Sequence, residues 1–381
     1  MVREKRRDHE RAHIREMRGY TPGARPVGNA IKLNTNENPF PPSPKVMAAL
    51  AAVVPGTLQR YPDPFADSFR EVAARLHDVN TEQVIATNGG DELLRLAITT
   101  FVDPGRAVGI VSPSYGIYSV LSAIQQAPLS RSPLRSDWSL TDATAALWNS
   151  EYAQLGILTN PHAPSGTLFP LEAVERLAIE FEGILLIDEA YVDFVDPASS
   201  YDTTQLVRRY PNVLLMRTLS KGYSLAGLRL AYCIGDAGLV KPMLAKTKDS
   251  YNVDGVSQLL GVAALEDRSY ASRSWEHVRR ERERLSTELQ DLGFSVLPSQ
   301  TNFLLASIPE SSNWSGAQDL QIQLEGHGVY VRWFDEDRLR KRLRISIGTT
   351  DENNALVSAL RSFQKPASAD RSIMEGNPGT Q

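Results

Sequence analysis

Cysteine is almost missing: Cys233 is the only one in 381 residues. An intrachain disulfide is therefore excluded, and a reducing, cytoplasmic setting is expected. Charge of one sign is lacking too. The 41 Lys and Arg are set against 45 Asp and Glu, a net of −4. No basic excess is present to hold nucleic acid. No uninterrupted apolar run approaches the roughly 18 residues of a membrane-spanning helix, so no membrane association is expected. Residues 1–18 are charged throughout and have no apolar stretch to serve as a secretory signal. Internal repeats and long low-complexity linkers are absent. Asn313-Trp314-Ser315 matches a glycosylation sequon, which carries no meaning in a cytosolic chain.

What is present is an ordinary soluble balance, 42% hydrophobic and 23% charged, in a chain long enough for one large and one smaller domain. Short β-branched runs alternate with amphipathic stretches, the pattern of a mostly parallel sheet wound on both faces by helices. Strands are expected at Val84–Thr87, Ala107–Val111, Leu155–Thr159, Ile184–Ile187, Val213–Met216 and Leu230–Ile234. Helices are expected at Asp91–Phe101, Leu171–Phe181 and Val256–Leu265, with a long charged one over Tyr270–Leu292. A smaller α+β unit follows: strand Phe303–Ala306, a helix, strands Gly328–Arg332 and Leu343–Ile347, and helix Glu352–Phe363. The expected organisation is a polar N-terminal arm (1–25), a segment joining the small domain (26–60) and a large domain (61–270). A small C-terminal domain (271–365) and a disordered tail (366–381) complete it.

Polar or Gly-rich clusters sit just beyond the C-terminal ends of several expected strands, the edge of an open parallel sheet where ligands bind. After Val84–Thr87 comes Asn88-Gly89-Gly90-Asp91-Glu92, opening a helix. Its glycines and first-turn amides could hold a phosphate, or it could be a plain strand-to-helix turn capped by Asp91. After Leu155–Thr159 the prolines and glycine of Asn160-Pro161-His162-Ala163-Pro164-Ser165-Gly166 shape a loop. Asn160 there is either a donor to a phenolate oxygen or a structural cap. After Ile184–Ile187 comes Asp188-Glu189-Ala190-Tyr191. A carboxylate at the end of a buried strand needs a compensating charge, and a protonated pyridine nitrogen would supply one. A magnesium ligand or a cap is the plainer alternative, but no second carboxylate cluster supports a metal. The fourth cluster, Arg217-Thr218-Leu219-Ser220-Lys221-Gly222-Tyr223 with Arg229 beyond, offers hydroxyls, an amine and a fixed cation suited to phosphate. Lysine forms an imine only when deprotonated, which burial and nearby cations favour.

In this order and spacing, Asn160-Pro-x-x-Pro-Ser-Gly, Asp188-Glu-Ala-Tyr191 and Thr218-Leu-Ser-Lys221-x-x-x-Leu-Ala-Gly-Leu-Arg229 resemble the fold-type I aminotransferases. The chain is most similar to their histidinol-phosphate aminotransferase subgroup. That likeness rests on Leu33-Asn34-Thr35-Asn36-Glu37-Asn38-Pro39, Arg60-Tyr61-Pro62-Asp63-Pro64, Tyr251-Asn252-Val253, Pro298–Phe303 and Leu343–Thr349. It covers residues 14–363. The resemblance implies pyridoxal 5′-phosphate as cofactor, an amine and a 2-oxo acid as substrates, and transfer of the amino group between them in two half-reactions. Lys221 would carry the cofactor and shuttle a proton. Asp188 would pair with the pyridine nitrogen, Asn160 and Tyr191 would bond the 3′ oxygen, and Tyr115 would stack on the ring. Gly90, Asp91, Thr218, Ser220 and Arg229 would cradle the phosphate. Tyr61 would reach it from a second copy in a homodimer. Arg344 and Arg332 would hold substrate anions, with Tyr20, Glu37 and Asn302 lining the mouth. The chain departs from the family pattern at His162-Ala163, usually two asparagines, and at Gly222-Tyr223, usually Ala-Phe.

Rivals within the same chemistry are a threonine-phosphate-type decarboxylase and an aromatic or other aminotransferase, which share the lysine and differ in how the substrate is held. A non-catalytic regulator on this fold would bring a further DNA-binding domain, for which 25 polar residues are too few. His9-Glu10-Arg11-Ala12-His13 matches the zinc-protease pattern letter for letter. It lies among arginines with no apolar face, and a catalytic zinc needs a third ligand and a dry cavity. The expectation is therefore no metal.

Overall fold

A computed structural model describes residues 9–26, 28, 30–310 and 314–364 of the protein. The expected tail at 366–381, the first eight residues and the sequon's Asn313 lie outside the described residues.

The large sheet has seven strands: β1 (Val84–Thr87), β2 (Ala107–Ser112), β3 (Leu129–Pro133), β4 (Ala153–Thr159), β5 (Ile184–Asp188), β6 (Val213–Thr218) and β7 (Ala231–Gly235). Their order is β1-β7-β6-β5-β4-β2-β3. Only β7 runs antiparallel, to both β1 and β6. Leu185, Leu186 and Ile187 of β5 are all fully buried. Leu185 and Ile187 pack in one layer of the core and Leu186 in the layer on the opposite face. That is the period of two of a strand covered on both sides, and it explains why these strands read as unbroken apolar runs. Gly109 of β2 and Gly156 of β4 are register partners. A Cβ on either would come within 2.5 Å or 2.4 Å of the Trp148 ring. The paired glycines form the seat of that buried indole.

Strand β3 was not anticipated from the sequence. It is an edge strand, Leu-Ser-Arg-Ser-Pro, with only alternate residues buried, so it carries no apolar run. The helices stand close to expectation: Gly90–Phe101, Leu171–Glu180, Gly255–Leu265 and Arg268–Asp291. On the last, Trp275, Val278, Arg282, Leu285 and Leu289 are buried at helical spacing. The buried Arg282 donates through Nη1 to the carbonyls of Phe194 (3.0 Å) and Thr301 (2.9 Å). Trp275 donates to Gly222 O at 2.6 Å. The helix thereby ties the lysine loop to the C-terminal unit.

That unit holds a four-stranded antiparallel sheet, β8 (Ser295–Val296), β9 (Phe303–Ser307), β10 (Arg332–Trp333) and β11 (Arg342–Ser346), in the order β10-β11-β9-β8. The strand expected over 328–332 divides. Val329–Tyr330 pairs in parallel with Ile31–Lys32 near the N-terminus, while Arg332–Trp333 joins β11. The segment just after Ile31–Lys32 lies against β11, where Leu33 O accepts from the Ser346 amide, and meets the loops after β5 and β6 at Tyr191 and Lys221.

Candidate active site

The four clusters after β1, β4, β5 and β6 surround a cavity of about 670 Å³. Gly90, Asp91, Tyr115, Asp188, Tyr191, Thr218, Ser220, Lys221 and Arg229 line it, and Tyr20, Arg332 and Arg344 close it from the other side.

One end is built for an anion. Gly89 has φ +81°, and a Cβ there would come within 2.7 Å of Arg229 Nη2. The guanidinium therefore lies close against the turn that opens helix Gly90–Phe101. Arg229 also meets Asp91 at 3.3 Å. Thr218 Oγ1 accepts from the Ser220 amide at 3.1 Å and meets Ser220 Oγ at 3.0 Å, and both residues line the cavity with Gly90 and Asp91. A helix N-terminus with hydroxyls and a guanidinium beside it has the chemistry to hold an anion.

At the centre, Asp188 ends β5 between Thr159 of β4 and Met216 of β6. It is 3% exposed. Its oxygens accept from Tyr118 Oη (2.6 Å) and the Ala190 amide (3.0 Å). Burial raises its carboxyl to about 6, against the pull of those two bonds, and no cationic side chain is among the groups that shift it. Tyr118 was missed in the sequence. It stands three residues after Tyr115, at the start of helix Ile117–Ile124, and burial beside Asp188 holds its phenol far above the usual value, so it remains a donor.

Lys221 lies opposite, its Nζ donating to Thr35 O at 2.9 Å. Burial, with Arg344, Arg229 and Lys32 nearby, lowers its amine to about 8, partly opposed by Glu37. Only the neutral amine attacks an aldehyde. In protein freed of cofactor, the rate of pyridoxal-phosphate uptake is expected to rise about tenfold per pH unit below 8. It should then level off rather than climb toward the 10.5 of an ordinary lysine. Stopped-flow absorption across pH checks this; continued climbing past pH 9 would put the amine in water.

Tyr115 meets Tyr20 and Tyr118 edge-on, with centroids at 5.6 Å and 5.5 Å. Arg344 packs against Phe303 and Phe334, gives Nη2 to Asn34 O at 3.1 Å and leaves Nε without a partner. Arg332 donates to the carbonyls of Thr21 (2.9 Å) and Pro22 (3.1 Å), so part of its fork straps the N-terminal segment over the cavity beside Tyr20.

Four expected site residues stand elsewhere. Asn160 is fully buried and off the cavity wall. Its Nδ2 donates to Phe169 O (3.1 Å) and Tyr201 Oη (2.7 Å), and its Oδ1 accepts from the Phe169 amide (2.8 Å). With both amide hydrogens committed, it takes the structural role left open above. Ala163, three residues on, lines the cavity instead. Its neighbour His162 ties this loop to the one carrying Tyr115. Nε2 bonds Pro113 O (3.0 Å) and Nδ1 bonds Ser165 Oγ (2.7 Å), and burial lowers the ring to about 3, so it stays neutral. Glu37 is drawn from the mouth by Lys32 (2.5 Å) and Thr35 Oγ1 (2.7 Å). Asn302 sits behind the wall, its Nδ2 on Asn36 O at 2.8 Å. Tyr61 is 81% exposed and stacks on Tyr251 at 4.4 Å, away from its own cavity.

The zinc-like pattern does not assemble. The first helix begins at Ala12, so His9 and Glu10 precede it, and His13 bonds Gln126 at 2.9 Å. Among the described residues no group of three His, Cys, Asp or Glu could hold a metal, and no helix is long and apolar enough to cross a membrane.

Fold and cavity are those of a lysine-centred transferase. The aminotransferase class I and II family matches residues 28–360. A histidinol-phosphate aminotransferase of Nostoc sp. is 38% identical over 355 residues, covering 92% of this chain and 97% of its own. One of Syntrophotalea carbinolica is 40% identical over 353 residues, covering 92% and 98%. Among solved structures, the histidinol-phosphate aminotransferase of Sinorhizobium meliloti with pyridoxal 5′-phosphate superposes with a TM-score of 0.85 at 24% identity, over 94% of this chain and 99% of that one. The chain belongs to the aminotransferase class I and II family. It is a transaminase, and its cofactor is pyridoxal 5′-phosphate. The residues fit that group: a buried carboxylate with no cationic partner among the described residues, a lysine with a lowered pKa, and a helix N-terminus with hydroxyls and a guanidinium that suits an anion.

Proposed function

We propose that the protein transfers the amino group of histidinol phosphate to 2-oxoglutarate, yielding imidazole acetol phosphate and glutamate. The likeness to relatives of that name over 92% of the chain carries the substrate assignment. The cavity agrees with it. A phosphate on one substrate and a carboxylate on the other both call for guanidinium, and Arg344 and Arg332 stand side by side on the wall facing Lys221.

Pyridoxal phosphate, when bound, supplies an aldehyde that condenses with amines and a ring that withdraws electrons from Cα. The remaining work falls to the chain. Lys221 would hold the aldehyde through Nζ, and the same Nζ would carry the proton between the substrate Cα and the neighbouring carbon, a transfer suited to an amine lowered to about 8. Asp188, fixed by Tyr118, would keep the ring nitrogen protonated. Tyr191 would donate to the 3′ oxygen and Tyr115 would cover the ring face. Gly90, Asp91, Thr218, Ser220 and Arg229 would hold the phosphate, and Tyr20 would shield the mouth from water.

The test is a half-reaction screen. The pyridoxal form is mixed with single amines, histidinol phosphate first, while absorption reports conversion to the pyridoxamine form and released carbon dioxide is measured. Rapid conversion without carbon dioxide is expected. No conversion with histidinol phosphate, or carbon dioxide from a phospho-amino acid, would overturn the assignment.

The working unit is a cytoplasmic homodimer. Met47, Leu50, Val54, Leu58, Phe65 and Leu259 are exposed around Tyr61, on neighbouring helices and the turn between them. An apolar face of this kind is suited to a second copy. Tyr61 then reaches the partner's phosphate. Tyr61→Phe should weaken cofactor binding about 10-fold, the scale of one hydrogen bond to a charged group. Mixing it with Lys221→Ala should restore one tight site per hybrid dimer, read by cofactor titration. No recovery would place Tyr61 outside a shared site.

A further inference from the structure

With both amide hydrogens of Asn160 committed, Tyr191 is left as the hydroxyl donor for the cofactor's 3′ oxygen, so the direction of its O–H matters. We infer that Asn36, locked by Ser346, is a positioning residue that aims the Tyr191 hydroxyl hydrogen into the cavity. The inference rests on the assignment of Tyr191 made above and extends it to a residue outside the expected site.

Asn36 is 1% exposed, with φ +56°, a left-handed conformation that asparagine tolerates. Each of its polar groups has a partner. Its backbone N–H donates to Ser346 Oγ at 2.9 Å, and its backbone oxygen accepts from Asn302 Nδ2 at 2.8 Å. Ser346 Oγ in turn meets Asn36 Oδ1 at 3.1 Å, and Asn36 Nδ2 meets Tyr191 Oη at 3.0 Å.

Ser346 Oγ accepts the backbone N–H, and among the described residues Asn36 Oδ1 is the one acceptor its own hydrogen meets, so that hydrogen goes to Oδ1. That fixes which end of the carboxamide is oxygen, and Nδ2 is left to face Tyr191. The phenol must then accept from Asn36, and its own hydrogen turns away, toward the cavity that Tyr191 lines. Burial raises the phenol above its usual pKa, so the hydrogen is retained. Were the carboxamide reversed, Tyr191 would donate to Asn36 and present only a lone pair to the ring oxygen.

The lock comes from a distant part of the chain. Ser346 ends β11, two residues beyond Arg344, which itself donates to Asn34 O at 3.1 Å. The same strand that supplies Arg344 therefore also orients Tyr191, and both side chains pack on the Phe303 ring.

The sharpest test is Asn36→Asp, which replaces the donor with an acceptor of the same shape and draws the Tyr191 hydrogen out of the cavity. A donor on the 3′ oxygen favours its anionic form, and this raises the acidity of the lysine-bound chromophore. Losing it should move the absorption titration of the reconstituted protein upward by about one pH unit. The dissociation constant for pyridoxal phosphate should rise about 10-fold. Ser346→Ala, which removes only the lock, should shift the titration the same way by less, and it serves if Asn36→Asp folds poorly. Tyr191→Phe gives the reference. If it shifts the titration and Asn36→Asp adds nothing to it in the double variant, the relay holds. If Tyr191→Phe shifts the titration while well-folded Asn36→Asp and Ser346→Ala match the parent, or add fully to Tyr191→Phe, the inference fails and the Tyr191 assignment stands. If Tyr191→Phe itself has no effect, the assignment falls, and the relay with it.

Discussion

Lys221→Ala is expected to lower the rate of amino transfer by at least about 10⁴-fold and to abolish the absorption band of the lysine-bound cofactor. A positioned proton carrier alone contributes about 10²–10⁴-fold. In the proposed role this residue also holds the aldehyde covalently, so both contributions disappear together. The side chain is well placed for the two tasks. Its Nζ rests on Thr35 O at 2.9 Å, and its amine is lowered to about 8 by burial and by Arg344, Arg229 and Lys32. The variant should still take up pyridoxal phosphate weakly, because the cradle at Gly90, Thr218, Ser220 and Arg229 is untouched. Single-turnover kinetics with histidinol phosphate, together with the absorption spectrum, decide the matter. A variant that kept either the band or appreciable turnover would move the chemistry to another amine.

The second large effect is expected at Asp188→Asn. Asparagine keeps the size of the side chain and can still bond Tyr118 and the Ala190 amide, so the fold at the end of β5 should survive. What disappears is the negative charge. In a site this dry, removing one member of a buried ion pair costs about 3–5 kcal/mol. The ring nitrogen then loses its proton, and the ring its capacity to withdraw electrons. At about 1.36 kcal/mol per decade, kcat should fall about 10²- to 10⁴-fold. The carboxyl, raised to about 6 by burial in the absence of a cationic side chain, should drop well below that value once the cationic ring is in place. Activity of the parent enzyme should therefore persist below pH 6 as far as this group is concerned. Kinetics of the variant against pH test both points. A kcat within threefold of the parent would place the carboxylate away from the ring.

The contrast between Asp188 and Asn160 shows how far local sequence can be read. Both follow buried apolar strands, and both were legible as residues at the ligand-binding edge. Asp188 is still part of its strand, paired with Thr159 and Met216, so the sheet dictates where it points. Asn160 is one residue past the end of β4, in a loop that folds back on Phe169 and meets Tyr201, 41 positions away. The loop's own closure decides that Ala163 faces inward.

What the sequence by itself determined about this protein is the chemistry at the strand ends and the class of fold. Apolar runs mark strands buried on both faces, turn residues mark where each one stops, and a lysine, a carboxylate and a glycine turn at those stops define a cofactor site. Tertiary structure alone decided the edge strand β3, the withdrawal of Glu37 to Lys32, the strap from Arg332 to Thr21 and Pro22, and the chain of bonds from Ser346 through Asn36 to Tyr191. Its two ends are 310 and 155 residues from Asn36. Hydrogen bonds over such separations leave no periodicity in the sequence, because each partner needs only a donor or an acceptor, and the packing of the two sheets around one cavity chooses which of many such residues meet.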